Sequence, residues 1–62
     1  MTRNSVRATV FGLMAQSRHY EYDEDSLIRD TRREHPKALQ STILRYRNDY
    51  KQCRGSHKLI CR

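Results

Sequence analysis

The sequence predicts a mainly α fold: three helices followed by a small C-terminal β-hairpin. Three observations predict it. Apolar residues recur at helical spacing in three separate segments. Asp23 and Pro36 punctuate those segments as a helix start and a helix stop. Gly55-Ser56 stands between two short stretches, Lys51-Gln52-Cys53-Arg54 and His57-Lys58-Leu59-Ile60-Cys61, that read as paired strands around a turn.

The first helix is expected from about Ser5 to Ser17, with Asn4 or Ser5 as its cap. Val6, Val10, Leu13 and Met14 fall at i, i+4, i+7 and i+8 and make one apolar stripe, which Phe11 widens. Gly12 weakens this helix by about 1 kcal/mol relative to Ala. His19-Tyr20-Glu21-Tyr22 alternates aromatic and polar residues and reads as a very short strand.

A second helix is expected from about Glu24 to Glu34. Asp23 is its N-cap, and the acids Glu24 and Asp25 suit the positive end of its dipole. Tyr22 and Leu27 then occupy the two positions of a hydrophobic staple. Its buried face is narrow: Leu27, Ile28 and Thr31. Pro36 disfavours a helical His35 and ends the helix there. A third helix is expected from Gln40 or Ser41 to about Gln52. Leu39, Ile43, Tyr46 and Tyr50 share its inner face, while Ser41, Arg45, Asn48 and Gln52 share the opposite one.

With 62 residues, the chain has room for one small domain, 1–62, and one thin core. Hydrophobic residues are 35% of it, low for a globular protein but above the disordered range. A substrate-enclosing cavity would consume that core, so the chain is not expected to be an enzyme or to hold a small-molecule substrate or cofactor. The acids Glu21, Asp23, Glu24 and Asp25 cluster at a helix start, where capping explains them. No apolar run approaches the roughly 18 residues that span a bilayer, so no membrane is expected. The N-terminus lacks a signal-peptide apolar region, and the location expected is cytoplasmic (a host's cytoplasm for a viral chain).

Two cysteines are too few for a disulfide scaffold, and thiols stay reduced in that compartment. Cys53, His57 and Cys61 are spaced Cys-x3-His-x3-Cys, unlike a closed zinc ligand set, so no metal is expected. Three readings of the pair stay open: a disulfide, a metal site, and small buried apolar residues within the hairpin. Tyr20, Tyr22, Tyr46 and Tyr50 are candidates for base stacking or, for the two on the third helix, for the core.

The charge is uneven. Residues 1–35 hold six basic and six acidic side chains, for a net of zero. Residues 36–62 hold seven basic (Lys37, Arg45, Arg47, Lys51, Arg54, Lys58, Arg62) and only Asp49 on the acidic side, so the whole formal excess of +6 lies there. A neutral half joined to a basic half points to a scaffold carrying a polyanion-binding surface. A solvated basic tail is the plainer reading.

Helix, short strand, helix, helix, hairpin is the element order of the winged helix-turn-helix superfamily. The stretch Glu34-His35-Pro36-Lys37-Ala38-Leu39-Gln40-Ser41-Thr42-Ile43-Leu44-Arg45-Tyr46 resembles the turn and recognition helix of many of its regulators. The resemblance covers roughly Tyr20 to Cys61 and departs from the pattern in having no Gly in the turn. It implies a sequence-specific double-stranded DNA-binding protein, a small transcriptional regulator of phage or mobile-element type, with helix three in the major groove and the hairpin as a wing.

The residue chemistry agrees with that expectation. Arg can pair with guanine, and Asn or Gln with adenine, through parallel hydrogen bonds in the major groove, which makes Arg45, Asn48 and Gln52 the candidates for reading bases. Ser41 and Thr42 at the helix start suit a phosphate. Arg47, Lys51, Arg54 and Lys58 would neutralise phosphates beside that face or on the wing. A merely polar, exposed helix face is the alternative for the first set, and a solvated charge run for the second. A homodimer through the first helix would add affinity. Two other functions compete: an inhibitor or adaptor that contacts a host protein through residues 24–34, and an RNA-binding protein.

Overall fold

The computed structural model describes residues 3–17 and 22–56. Three helices form a bundle: α1 (Arg3–Ser17), α2 (Glu24–Glu34) and α3 (Gln40–Ser56). Each packs on the other two. Val6, Val10 and Met14 of α1, Leu27 of α2, and Ile43 and Tyr46 of α3 are buried together, with Phe11, Leu13, Tyr22, Ile28, Ala38 and Tyr50 packed around them. The Phe11 and Tyr50 rings meet edge-on, centroids 5.3 Å apart, and tie α1 to α3. The Arg7 guanidinium lies over the Phe11 face, 4.2 Å from its centroid.

The start of α2 is set by its cap. The Asp23 carboxylate accepts from the Ser26 backbone N–H at 3.0 Å and from the Ser26 hydroxyl at 3.2 Å. The Asp23 carbonyl accepts the first helical bond, from the Leu27 N–H at 2.9 Å. Tyr22 and Leu27 both join the core at the expected staple positions. The stop is set by Pro36. His35 is the last residue to donate into the helix, to the Thr31 carbonyl at 3.0 Å, and its φ of −133° and ψ of 73° have left the helical region. The His35 carbonyl then accepts from the Ala38 N–H at 3.0 Å, which closes a turn with Pro36 at its second position.

The expected hairpin and wing are not formed. Gly55-Ser56, expected at the turn, lie inside α3, which runs unbroken from Gln40 to Ser56. The reason is periodicity. Cys53 stands three residues beyond Tyr50, so Ile43, Tyr46, Tyr50 and Cys53 continue one inward seam, and Cys53 is only 8% exposed. A single Gly near a helix end costs about 1 kcal/mol, too little to outweigh that seam. The second arm of the expected hairpin, residues 57–61, lies outside the described residues. No strand occurs among the described residues. Of the expected short strand, His19-Tyr20-Glu21 lies outside them, and Tyr22 is in an irregular segment.

Cys53 is disulfide-bonded rather than a reduced thiol. A structural disulfide is uncommon in a reducing cytosol, so this cysteine lends no support to the compartment expected from the sequence. No helix among the described residues is long and apolar enough to cross a membrane.

Candidate nucleic-acid interface

Successive residues of α3 rotate by about 100°, so residues spaced by three or four share a face. Burying Ile43 and Tyr46 turns Ser41, Arg45, Asn48 and Gln52 outward, and all four are exposed. Eleven residues separate the first from the last. At a rise of 1.5 Å per residue the stripe is about 16 Å long, the length of about five base steps. Arg45 is exposed and makes no ion pair among the described residues. Thr42 and Lys51 are half-buried at the margins of the stripe, as is Asp49, the single acid of α3. Arg54 belongs to the last turns of α3, and Lys58 lies outside the described residues.

Arg47 sits differently. Its side chain is only 14% exposed, and one guanidinium nitrogen donates to Glu24 Oε2 at 3.1 Å. Its Nε is buried with no hydrogen-bond partner among the described residues. The ion pair ties the first turn of α2 to the middle of α3. The signal was present in the sequence: Arg47 lies about 40° from Ile43 around the helix, on the core side.

Two further features were not read from the sequence. Leu39, expected on the inner face, is 68% exposed. It precedes α3 and is not part of its helical rotation, so helical spacing does not place it. His35 is buried, and its Nε2 lies 2.8 Å from Thr9 Oγ1 on α1. Its burial follows from the turn at Pro36, which brings the end of α2 against α1.

The placement of α3 starts from α2, whose lead-in is anchored by a side chain. Tyr22 Oη donates to Asp30 Oδ2 at 2.6 Å, which fixes the lead-in to α2 against its own second turn. Arg29 donates to Asp30 Oδ1 at 3.3 Å from the exposed side. Burial and then the Asp30 hydrogen bond push the Tyr22 phenol up to about 12, and the same hydrogen bond holds the Asp30 carboxyl below its ordinary value. The turn at 35–38 and the Arg47–Glu24 pair then set where α3 begins and how it lies on α2. The arrangement of α2, turn and α3 is compatible with a helix-turn-helix.

The described residues contain no group of three or more His, Cys, Asp or Glu placed to hold a metal ion. An open surface depression of about 250 Å³ lies against α1 and the end of α2, lined by Ala8, Thr9, Gly12, Leu13, Gln16 and Glu34. No family model matches the chain, and neither does any curated protein or solved structure.

Proposed function

We propose that this protein binds double-stranded DNA in a sequence-specific manner, with α3 as the element that enters the major groove. One observation carries the reading: the exposed stripe Ser41, Arg45, Asn48 and Gln52 on the second helix of a helix–turn–helix arrangement. Arg and Asn or Gln are the side chains whose paired hydrogen bonds distinguish guanine and adenine edges. A core of buried side chains holds the opposite side of the same helix, so the stripe is presented from a rigid support. The excess of +6 in residues 36–62 supplies the long-range attraction to phosphates. Binding needs no wing in this reading. Lys51 at the margin of the stripe supplies phosphate contact, while Arg47 holds α2 to α3.

An electrophoretic shift with fragments of the source genome, run at two salt concentrations, tests the reading. A retarded fragment that survives competition by unrelated duplex supports it. Retardation of all fragments alike, lost at the higher salt, would reduce the chain to a non-specific polycation. Absence of retardation at either salt, or a preference for single-stranded RNA, would move the function to a protein or RNA partner.

A further inference from the structure

Among the described residues, Leu39 is the large apolar side chain left in solvent, 68% exposed where Leu27 and Ile43 are fully buried. Its neighbour Ala38 packs against the core, and Leu27, Ile28 and Ile43 lie in or against it. Leu39 stands at the N-cap of α3, since its carbonyl accepts the Ile43 N–H at 3.1 Å. N-caps favour Ser, Thr, Asp or Asn, whose side chains accept a hydrogen bond from the first turn; Leu has no such acceptor. Asp23 fills that role at α2. Leu39 therefore neither caps nor packs. A local rule broken without structural gain is a mark of a functional position.

The place of Leu39 gives it a function. The N-terminal end of the second helix in a helix-turn-helix is the end that reaches base edges. The major groove offers one apolar group there, the C5-methyl of thymine. Gln40 and Ser41 beside Leu39 are exposed, so nothing on the helix start shields it.

We propose that Leu39 is a specificity-determining residue that packs its isobutyl group on a thymine methyl, at a base pair other than the one that Arg45 reads. The inference rests on the DNA reading above and adds the base class at a second position.

The test removes the methyl and nothing else. A bound duplex is first selected from a random library. Each thymine in it is then replaced by deoxyuridine, and wild type and Leu39→Ala are compared on every probe. One replacement should weaken wild-type binding about threefold to tenfold, as loss of one buried methyl contact does. Leu39→Ala should bind that probe and its thymine parent equally. Leu39 is exposed, so the variant should melt with the wild type. Wild-type indifference to every replacement, or a Leu39→Ala protein that still discriminates, overturns this inference alone. Failure of the library to yield any bound duplex overturns the DNA reading with it.

Discussion

His35 Nε2 lies 2.8 Å from Thr9 Oγ1, joining the residue that closes α2 to the middle of α1. Thr9 Oγ1 also donates to the Ser5 carbonyl at 3.1 Å and lies 3.4 Å from Glu34 Oε1. One hydroxyl proton cannot serve all of these acceptors. The arrangement is satisfied when His35 carries its proton on Nε2 and donates it to Thr9, which donates to Ser5. The bond is part-buried, where an unmade hydrogen bond is costly. His35→Ala should destabilise the protein by about 1–3 kcal/mol. Thr9→Val should couple to it by about 0.5 kcal/mol or more in a double-mutant cycle of chemical denaturation, because the two side chains share one interaction. Strict additivity would mean that the contact carries no energy.

Tyr22 and Asp30 predict a pH window. The folded phenol titrates at about 12 against an ordinary value of 10, so the folded state holds its proton more tightly. The stability this adds is complete below pH 10 and is lost as pH rises toward 12. Asp30 has the opposite sign. Its folded carboxyl titrates below the ordinary value of 3.8, so its contribution is present above that pH and is lost as pH falls further. Unfolding free energies of wild type and Tyr22→Phe, measured across pH, should differ by a nearly constant amount between these limits. The difference should shrink on both sides, since the hydrogen bond links both groups. A pH-independent difference would show that the bond is not formed in solution.

Gly12 is exposed in α1, and a Cβ built on it meets nothing within 4 Å. Replacement therefore adds no clash and reduces the freedom of the unfolded chain. Gly12→Ala should stabilise the protein by about 0.5–1 kcal/mol, read as a higher thermal midpoint by circular dichroism. A lower midpoint would place the depression beside Thr9 and Glu34 under a constraint that the structure does not show.

Ile43 is fully buried among Val10, Leu27 and Tyr46. Ile43→Ala should cost about 2–5 kcal/mol, comparable to the whole stability of so small a core. Chemical denaturation would reveal a largely unfolded variant in the absence of denaturant; a midpoint close to wild type would mean that Ile43 is not central.

Much of this architecture was legible where one strong local rule acted. Asp23 as a cap and Pro36 as a breaker fixed both ends of α2, and helical spacing found Val6, Val10, Met14, Leu27 and Ile43. Sequence and structure part where two rules compete. Over residues 51–56 the turn propensity of Gly-Ser competes with the seam that Cys53 continues, and the helix wins because burial outweighs one glycine. Leu39 leaves the inner face because helical rotation does not extend past the first residue of α3. The partners of His35 and Arg47 are separated from them by 26 and 23 residues, and no local pattern reports such contacts. The outward stripe was legible because the inward one was.

Arg45 and Arg47 are two residues apart, and the fold assigns them to different tasks. Arg47 donates to Glu24 and has a largely covered stem, so removing it uncovers apolar surface and frees the start of α2. Glu24 is itself 55% exposed, so the pair alone is worth at most about 1 kcal/mol. Arg47→Ala should lower the thermal midpoint measurably and weaken DNA binding through misplacement of α3. Arg45→Ala should leave the midpoint unchanged, since the side chain is exposed. In the DNA reading it should cost about 1–3 kcal/mol of specific binding and spare non-specific binding beyond the loss of one charge. Melting curves and binding isotherms on the same preparations separate the two. If Arg45→Ala binds the selected duplex as wild type does, α3 does not read bases through this face.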